Sequence, residues 1–248
     1  MKKIVQSIAT VLLTSSISLM ASGHMAHWGY TGHNSPESWG NLSPKYTMCS
    51  AGKNQSPINI TSSLDADLAP IDFHYATSPK SIVNNGHTVQ VNVRDGSYMS
   101  IDGVDYKLLQ FHFHTPSENN VDGKSFPLEA HFVHADKNNN LAVVAVMFEL
   151  GEKNSQLAEL WKKMPMHTDA KNNLTVEAKD INKLLPKAKD YYRFNGSLTT
   201  PPCSEGVKWL VLSTPVSISK AQVEKFSHAV HGTNNRPLQD INARVIVK

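Results

Sequence analysis

The sequence predicts an α+β domain dominated by β-structure, in which a large, mostly antiparallel, twisted sheet carries a few short surface helices. One observation is periodicity, since apolar and polar residues alternate from Thr88 to Val93 as in a half-buried strand. A second is turn chemistry, because Asp95-Gly96 and Asp102-Gly103 are hairpin pairs that favour positive φ. The third is length, since 248 residues suit one large domain of this class.

The chain begins with a pattern typical of a secretory signal peptide. Lys2 and Lys3 precede an apolar stretch from Ile4 to Met20, and small residues follow it. We therefore predict a signal peptide over residues 1–22 and a single domain over 23–248, located in the periplasm or secreted. The alternative is an uncleaved membrane anchor, but the apolar run is short for a span and contains polar residues. We expect no stable membrane insertion after cleavage.

Charge and cysteine content narrow the range of partners. The formal charge of +3 falls to about +1 once Lys2 and Lys3 leave with the signal peptide, and no basic tract indicates nucleic-acid binding. The two cysteines, Cys49 and Cys203, fit an exported chain with one disulfide. Two free thiols are the alternative that the residues leave open.

The first part of the predicted domain has little regular pattern. Residues 24–53 are rich in turn formers and are predicted to wrap over the domain as a loop. We interpret His24, His27 and His33 as parts of this polar terminus rather than as metal ligands. The stretch from Asn54 to Ile60 places a proline ahead of a short apolar alternation, which is typical of a tight turn entering an edge strand.

The middle of the chain predicts an antiparallel meander. Its successive strands are Tyr98–Ile101, Tyr106–His114, Phe126–His134 and Leu141–Leu150. A further apolar strand is predicted at Val207–Leu212, and alternation returns at the end of the chain at Val245 and Val247. The two strands that carry most of the histidines are neighbours in this arrangement.

Helix signals are few. Asn154 or Ser155 is a candidate N-cap for a helix whose apolar residues recur at helical spacing through Met164. Ser219 and Gln222 have the spacing of a capping box ahead of a second helix. Both helices are predicted to lie on the surface.

Three histidines are candidates for a metal site. Because side chains alternate along a strand, Gln110, His112 and His114 share one face, and the next strand carries Glu129 and His131 on one face. Three imidazoles with one open position form a catalytic zinc site, whereas a structural site uses four protein ligands, usually including cysteines.

A second feature supports this interpretation. A liganding imidazole normally donates its other ring N–H to a fixed acceptor, and Gln110 and Glu129 each lie two residues before a candidate ligand. The competing interpretation is that these histidines are hydrogen-bonded core or surface groups. His134 is a rival third ligand, but strand alternation turns it to the opposite face.

Several motifs in order make the chain resemble an α-class carbonic anhydrase of the bacterial, exported type. The resemblance covers almost all of the predicted domain. The motifs are His27-Trp28-Gly29-Tyr30, Gln55-Ser56-Pro57-Ile58, Asn84-Asn85-Gly86-His87, Gln110 to His114, Glu129 to His134, Asn195 to Val207 and Asn235-Arg236-Pro237.

The resemblance implies a ligand set and a reaction. His112, His114 and His131 match zinc ligands, and Gln110 and Glu129 match the groups that hydrogen-bond their rings. Zn²⁺ is then the expected cofactor. A zinc-bound hydroxide attacks carbon dioxide, and water displaces the bicarbonate that forms.

The resemblance also implies a gate and a proton path. Thr199 and Glu118 match the gate, in which Thr199 donates to the ionised carboxylate so that the hydroxide presents a lone pair to carbon dioxide. His87 matches the histidine that carries the proton to buffer, and Tyr30 and Gln90 match groups that order the intervening water.

An apolar substrate pocket is implied as well, where pattern alone would indicate core packing. Its matching residues are Val133, Val143, Leu198, Thr200, Val207 and Trp209.

Further implications concern the backbone. A disulfide between Cys49 and Cys203 would anchor the loop that carries the gate threonine, and cis peptide bonds are expected before Pro57 and Pro202. One position departs from the pattern: Phe194 stands where many relatives carry tyrosine, and we expect modest consequences.

The predicted function is that of a carbonate dehydratase, a zinc lyase that reversibly hydrates carbon dioxide to bicarbonate and a proton. Secondary activity on esters and a homodimer are further expectations. One alternative is another exported zinc hydrolase, although the His-Glu-x-x-His motif is absent. The other is a catalytically silent binding module, which the intact ligand and gate residues disfavour.

Overall fold

The computed structural model of the protein describes residues 26–174 and 180–248. The signal peptide predicted at 1–22 therefore lies outside the described residues, as does His24. The strands are β1 (Asn59–Ile60), β2 (Asp72–His74), β3 (Pro79–Asn84), β4 (Val89–Val93), β5 (Tyr98–Ile101), β6 (Val104–His114), β7 (Asn120–Val121), β8 (Leu128–Ala135), β9 (Leu141–Leu150), β10 (Lys171–Asn173), β11 (Tyr191–Ser197) and β12 (Glu205–Ile218).

Helical structure is short. The α-helices are α1 (Trp39–Leu42), α2 (Met48–Ala51), α3 (Ser155–Lys162) and α4 (Lys220–Ala229). Single 3₁₀ turns lie at Gly32–Asn34, Pro36–Ser38, Pro44–Tyr46 and Ile181–Leu184. No helix within the described ranges is both long enough and apolar enough to cross a membrane.

A ten-stranded sheet forms the centre of the molecule. Its main path runs β10-β3-β4-β6-β8-β9-β12-β11, and β5 pairs with both β2 and β6. Every pairing in it is antiparallel except that of β9 with β12. The β-dominated, mostly antiparallel fold and the predicted meander are confirmed.

The small elements agree in part with expectation. β1 pairs in parallel with β7 as a separate two-stranded sheet, directly after a cis Ser56–Pro57 bond. The expected cis bond before Pro202 is present, and a third precedes Pro116. The alternation at Val245 and Val247 does not produce a strand, and Val247 forms only isolated bridges with Leu64 and Arg193.

The two longer helices begin where the capping residues predict. Asn154 Oδ1 accepts a hydrogen bond of 2.9 Å from the backbone N–H of Leu157 in α3. Gln222 Oε1 accepts one of 3.2 Å from the backbone N–H of Ser219 ahead of α4. These caps satisfy N–H groups that a helix start leaves without intrahelical partners.

The described part of the segment predicted as a loop, residues 26–53, is more ordered than expected. It contains α1 and α2, and the side chains of Trp39 and Tyr46 are buried beside Cys49 and Cys203. A single turn of helix is too short to show a hydrophobic period, so the pattern gave no signal for it. Burial of these aromatic rings fixes the segment on the body of the domain.

The two faces of β6 have different surroundings, with phenylalanines packed in the core on one face and histidines on the other. Phe111 and Phe113 are buried in the main core, and Phe113 packs against Trp161 of α3 and Phe226 of α4 at ring-centroid distances of 5.3 and 6.0 Å. The two helices thus cover one side of the strand. The histidines of β6 point to the opposite side.

Candidate metal centre

Register brings three imidazoles together. His112 of β6 lies directly opposite His131 of β8, and His114 lies two residues further along its strand. The ring centroids are 5.3 Å apart for His112 and His131, 5.0 Å for His112 and His114, and 4.6 Å for His114 and His131. Their candidate ligand nitrogens all lie within 4.8 Å of one another. Strand pairing therefore builds the group predicted from the sequence.

The side chains of Gln110 and Glu129 each form a hydrogen bond with one of these rings. His112 Nδ1 lies 2.9 Å from Gln110 Oε1, and His131 Nε2 lies 2.8 Å from Glu129 Oε1. An amide oxygen and a carboxylate only accept hydrogen bonds, so each ring donates from that nitrogen. The other nitrogen of each ring keeps its lone pair.

The acceptor for the third ring is a backbone carbonyl, which the sequence did not predict. His114 Nδ1 lies 2.7 Å from the backbone carbonyl oxygen of Asn234, which is 120 positions away in the chain. The Asn234 side chain holds this carbonyl in place, since its Oδ1 accepts from the N–H of Thr115 and its Nδ2 donates to the carbonyl of Phe113. A backbone acceptor has no residue type to recognise.

The three free nitrogens are suited to a cation. They are Nε2 of His112, Nε2 of His114 and Nδ1 of His131, and the buried Nε2 of His114 has no hydrogen-bond partner within the described ranges. Burial lowers the pKa of His112 and of His131 well below the usual value, with the neighbouring rings adding to the effect. Neutral imidazoles with converging lone pairs are metal ligands.

Glu129 is the most heavily bonded side chain behind the site. Its Oε2 accepts from the N–H groups of Glu118 and Asn119 at 2.7 and 2.9 Å, and its Oε1 accepts from Asn119 Nδ2 at 2.8 Å. Burial raises the pKa of Glu129, and the Asn119 donors oppose the rise. Glu129 thus fixes both His131 and the turn that carries Glu118.

The buried carboxylate of Glu118 lies close to the unbonded ring nitrogens of His114 and His131. Its Oε2 lies 3.5 Å from His114 Nε2 and 3.8 Å from His131 Nδ1, and its Oε1 accepts from the Arg236 N–H. Burial raises the pKa of Glu118 to about 8, while the Thr199 hydroxyl and the Arg236 N–H oppose the rise. Glu118 Oε2 accepts no hydrogen bond in good geometry from the described residues. The Thr199 hydroxyl is nevertheless close enough to lower the pKa of Glu118.

A cavity of about 130 Å³ opens from the histidines toward solvent. Its lining includes Tyr30, His87, Gln90, His112, His114 and Thr200, which the sequence analysis assigned to the site. The Tyr30 hydroxyl is buried without a partner in the described part of the chain, and burial with the charge of Glu118 raises its pKa well above the usual value. The Tyr30 hydroxyl therefore stays protonated.

His87 stands at the outer end of this cavity. Its ring stacks on Trp28 with centroids 3.7 Å apart and an interplanar angle of 7°. Burial and the charge of His27 lower the pKa of His87, while Asp169 opposes this. His87 is half-buried and His27 is exposed, so the group facing the cavity and the group facing solvent are neighbours.

The apolar residues predicted as a pocket pack as one cluster. Its members include Val133, Val143, Leu198, Val207 and Trp209. The His131 ring meets Trp209 edge-on at 4.9 Å, so the cluster borders the metal centre. The ring of Phe194 stacks on that of Trp209 with centroids 6.0 Å apart.

A disulfide bond anchors the loop beside this cluster. Cys49 and Cys203 form a disulfide, which settles the choice between one disulfide and two free thiols. The Cys203 N–H donates to the carbonyl of Thr200 at 2.8 Å, and the Leu198 N–H donates to the carbonyl of Ser204 at 3.0 Å. Residues 198–200 are thus held by their own backbone next to the disulfide.

His134 is not part of the site. Its Nε2 lies 2.8 Å from the hydroxyl of Tyr75, in the core on the other face of the sheet. Strand alternation alone predicted this, since His134 is an odd number of residues from His131.

Comparison with known proteins gives one consistent result. A model of eukaryotic-type carbonic anhydrases matches residues 34–248. Carbonic anhydrases from Neisseria gonorrhoeae and Pectobacterium atrosepticum are 52% and 47% identical, each over 96% of this chain and over 94% and 96% of their own lengths. The structure of an α-carbonic anhydrase from Thermovibrio ammonificans with sulfanilamide superposes with a TM-score of 0.88 at 51% identity, covering 90% of this chain and 99% of that one.

Proposed function

We propose that this chain, which belongs to the eukaryotic-type (α) carbonic anhydrase family and is a carbonic anhydrase, hydrates carbon dioxide at a zinc ion. The zinc ion would be held by His112, His114 and His131. The observation that carries this proposal is the convergence of three lone pairs whose rings are each anchored by an acceptor behind them. Three nitrogen ligands without a fourth protein ligand are the donor set of catalytic zinc.

Zinc in carbonic anhydrases is known to lower the pKa of its bound water to about 7, and would thereby supply a hydroxide nucleophile at neutral pH. The remaining steps belong to the residues of this chain. They bind the substrate, orient the nucleophile and remove a proton.

Thr199 and Glu118 orient the nucleophile. When the Thr199 hydroxyl donates to Glu118 Oε2, its oxygen is left to accept the proton of the nucleophile, and a lone pair then faces the substrate. This requires Glu118 to be an acceptor only, hence ionised. The Arg236 N–H and the Thr199 hydroxyl favour that form but leave the pKa of Glu118 at about 8, so a positive charge at the histidines is what would keep the carboxylate ionised at neutral pH.

The apolar cluster provides a place for a neutral substrate. Carbon dioxide is weakly hydrated, and Val143, Val207 and Trp209 are buried side chains with no charge to hold water there. Val133 and Leu198 are partly buried at the border of the cluster. Bicarbonate is charged, so the same wall favours its release once it forms.

His87 removes the proton that regeneration of the nucleophile releases. A cavity of about 130 Å³ separates it from the histidine cluster, which is room for a short chain of waters. Tyr30, Gln90 and Thr200 line this cavity with hydroxyl and amide groups that order such a chain. The stacked Trp28 keeps the His87 ring at the cavity mouth.

Processing and assembly complete the proposal. Removal of residues 1–22 would leave a domain over 23–248 in the periplasm or outside the cell, and the disulfide supports such an oxidising compartment. A homodimer stays a prediction, to be checked by light scattering of the purified chain. Secondary hydrolysis of activated esters is part of the same proposal, since the same nucleophile attacks an ester carbonyl.

The decisive experiment combines metal analysis with stopped-flow hydration of carbon dioxide. We expect about one zinc per chain in the wild type, since the site has a single set of ligands. His112→Ala should lose both zinc and hydration activity, whereas His33→Ala, which changes an exposed histidine, should lose neither. Purified protein without zinc, or zinc closed off by a fourth side chain, would overturn the proposal.

A further inference from the structure

His27 lies beside His87 at the solvent end of the cavity. The two ring centroids are 6.4 Å apart, with an interplanar angle of 37°. Each ring atom lies about 1 Å from its centroid, so the nearest atoms of the two rings are at least about 4 Å apart, which exceeds a direct hydrogen bond and leaves room for a bridging water. His27 is exposed and His87 is half-buried, so the pair leads outward.

The position of His27 is fixed by its neighbours in the chain. Trp28 stacks on His87 and meets Trp39 edge-on with centroids 5.2 Å apart. The buried Trp39 donates from Nε1 to the carbonyls of Gly29 and Asn34, each at 2.9 Å. The backbone on the C-terminal side of His27 is therefore anchored, and the residue does not belong to a free terminus.

The charges of the pair are linked. Burial and the charge of His27 lower the pKa of His87, whereas Asp169 raises it. Two imidazolium rings this close repel each other, so the pair favours holding one proton at a time. This repulsion favours the release of a proton from His87.

We propose that His27 is a second proton carrier, which accepts the proton from His87 and passes it to buffer. The His87 imidazolium donates a proton to a bridging water, which donates one to the neutral His27 ring, and His27 then protonates an external base. Both rings end neutral, and no electrons are exchanged. This inference rests on the proposed role of His87.

The test is stopped-flow hydration of carbon dioxide in dilute, bulky buffer and in concentrated imidazole. Proteins compared are the wild type, His27→Asn, His87→Asn, the double variant and His33→Asn as an exposed control from the same segment. We expect His27→Asn to lower kcat about threefold in dilute buffer. The value of kcat/KM should be unchanged, because regeneration follows product release. Concentrated imidazole should restore kcat, and His27→Asn should add nothing to His87→Asn.

A second readout does not depend on turnover. The His87 ring protons, followed by NMR, should titrate at higher pH in His27→Asn than in the wild type, because the repelling charge is gone; His33→Asn should not shift them. Unchanged kcat in dilute buffer, a loss that concentrated imidazole does not restore, an additive loss in the double variant, or an unshifted titration would each overturn the inference. If His87→Asn itself kept full kcat in dilute buffer, the proposed shuttle would fail instead.

Discussion

The backbone N–H of Arg236 donates a hydrogen bond of 2.8 Å to Glu118 Oε1, although the two residues are 118 positions apart in the chain. The guanidinium of Arg236 fixes this N–H in turn. It is buried and donates at 2.8 Å to Gln55 Oε1 and to the carbonyls of Ser56 and Cys49. The orientation of the proposed gate carboxylate therefore depends on a buried cation near the disulfide.

Arg236→Met should lower both stability and activity. The substitution leaves three buried acceptors without donors, so we expect a loss of about 3 kcal/mol in the free energy of unfolding by urea. In the fraction that remains folded, kcat/KM should fall because Glu118 loses its fixed position. Arg94→Met, which changes an exposed arginine, is the matched control and should stay within about 0.5 kcal/mol of wild type. Equal stability of the two variants would contradict the role assigned to Arg236.

Glu118→Gln tests the gate itself. Glutamine keeps the shape of the side chain but places a donor where Thr199 needs an acceptor, so the nucleophile loses its orientation. We expect kcat/KM to fall about 100-fold with zinc content unchanged, measured by stopped flow and metal analysis on the same sample. Glu149→Gln on the exposed end of β9 should behave as wild type. Full activity of zinc-loaded Glu118→Gln would rule out the gate.

Sequence alone was sufficient where the physics is local. Strand alternation put His112 and His114 on one face and His134 on another, and the predicted meander placed β6 next to β8, so the histidine cluster followed from strands that are near in the chain. The capping side chains of Asn154 and Ser219 likewise marked helix starts, because a cap acts within one turn.

Features built from distant segments were out of reach of these patterns. The parallel pairing of β9 with β12 and the carbonyl of Asn234 behind His114 join residues far apart in the chain. Neither a backbone carbonyl nor a pairing partner leaves a period in the sequence. Arg236 was seen only as part of a motif, and its burial beside the gate became evident from the packing around it.

We expect the burial of His134 to make the folded protein less stable in mild acid. It is fully buried with the Tyr75 hydroxyl on Nε2, and burial lowers its pKa from 6.5 to about 4. In the unfolded chain His134 binds a proton near pH 6.5, whereas in the folded chain it does so only near pH 4. The contribution of His134 to the free energy of unfolding is therefore complete above pH 6.5 and is lost as the pH falls from 6.5 to 4. The change amounts to about 3 kcal/mol.

The comparison that isolates this effect is His134→Gln against wild type, with urea unfolding of metal-free protein at pH 7.5 and pH 5. Glutamine keeps a partner for Tyr75 but does not titrate, so the variant should lose less stability on acidification than wild type. His74→Gln, which changes a histidine of β2 whose side chain is 40% exposed, should keep the wild-type dependence. The same loss in His134→Gln as in wild type would show that another group is responsible.

Reduction of the disulfide should affect activity before it unfolds the chain. Cys49 and Cys203 are 154 residues apart, so the chain-entropy treatment assigns the bond about 5 kcal/mol as an upper limit. The bond also lies next to the loop that carries Thr199 and Thr200, where Cys203 N–H holds the Thr200 carbonyl. We expect the Cys49→Ser, Cys203→Ser double variant, at temperatures where circular dichroism shows it folded, to have lower kcat/KM than wild type with zinc still bound. Wild-type kcat/KM in that folded, zinc-loaded variant would mean that the backbone hydrogen bonds hold the loop without the disulfide.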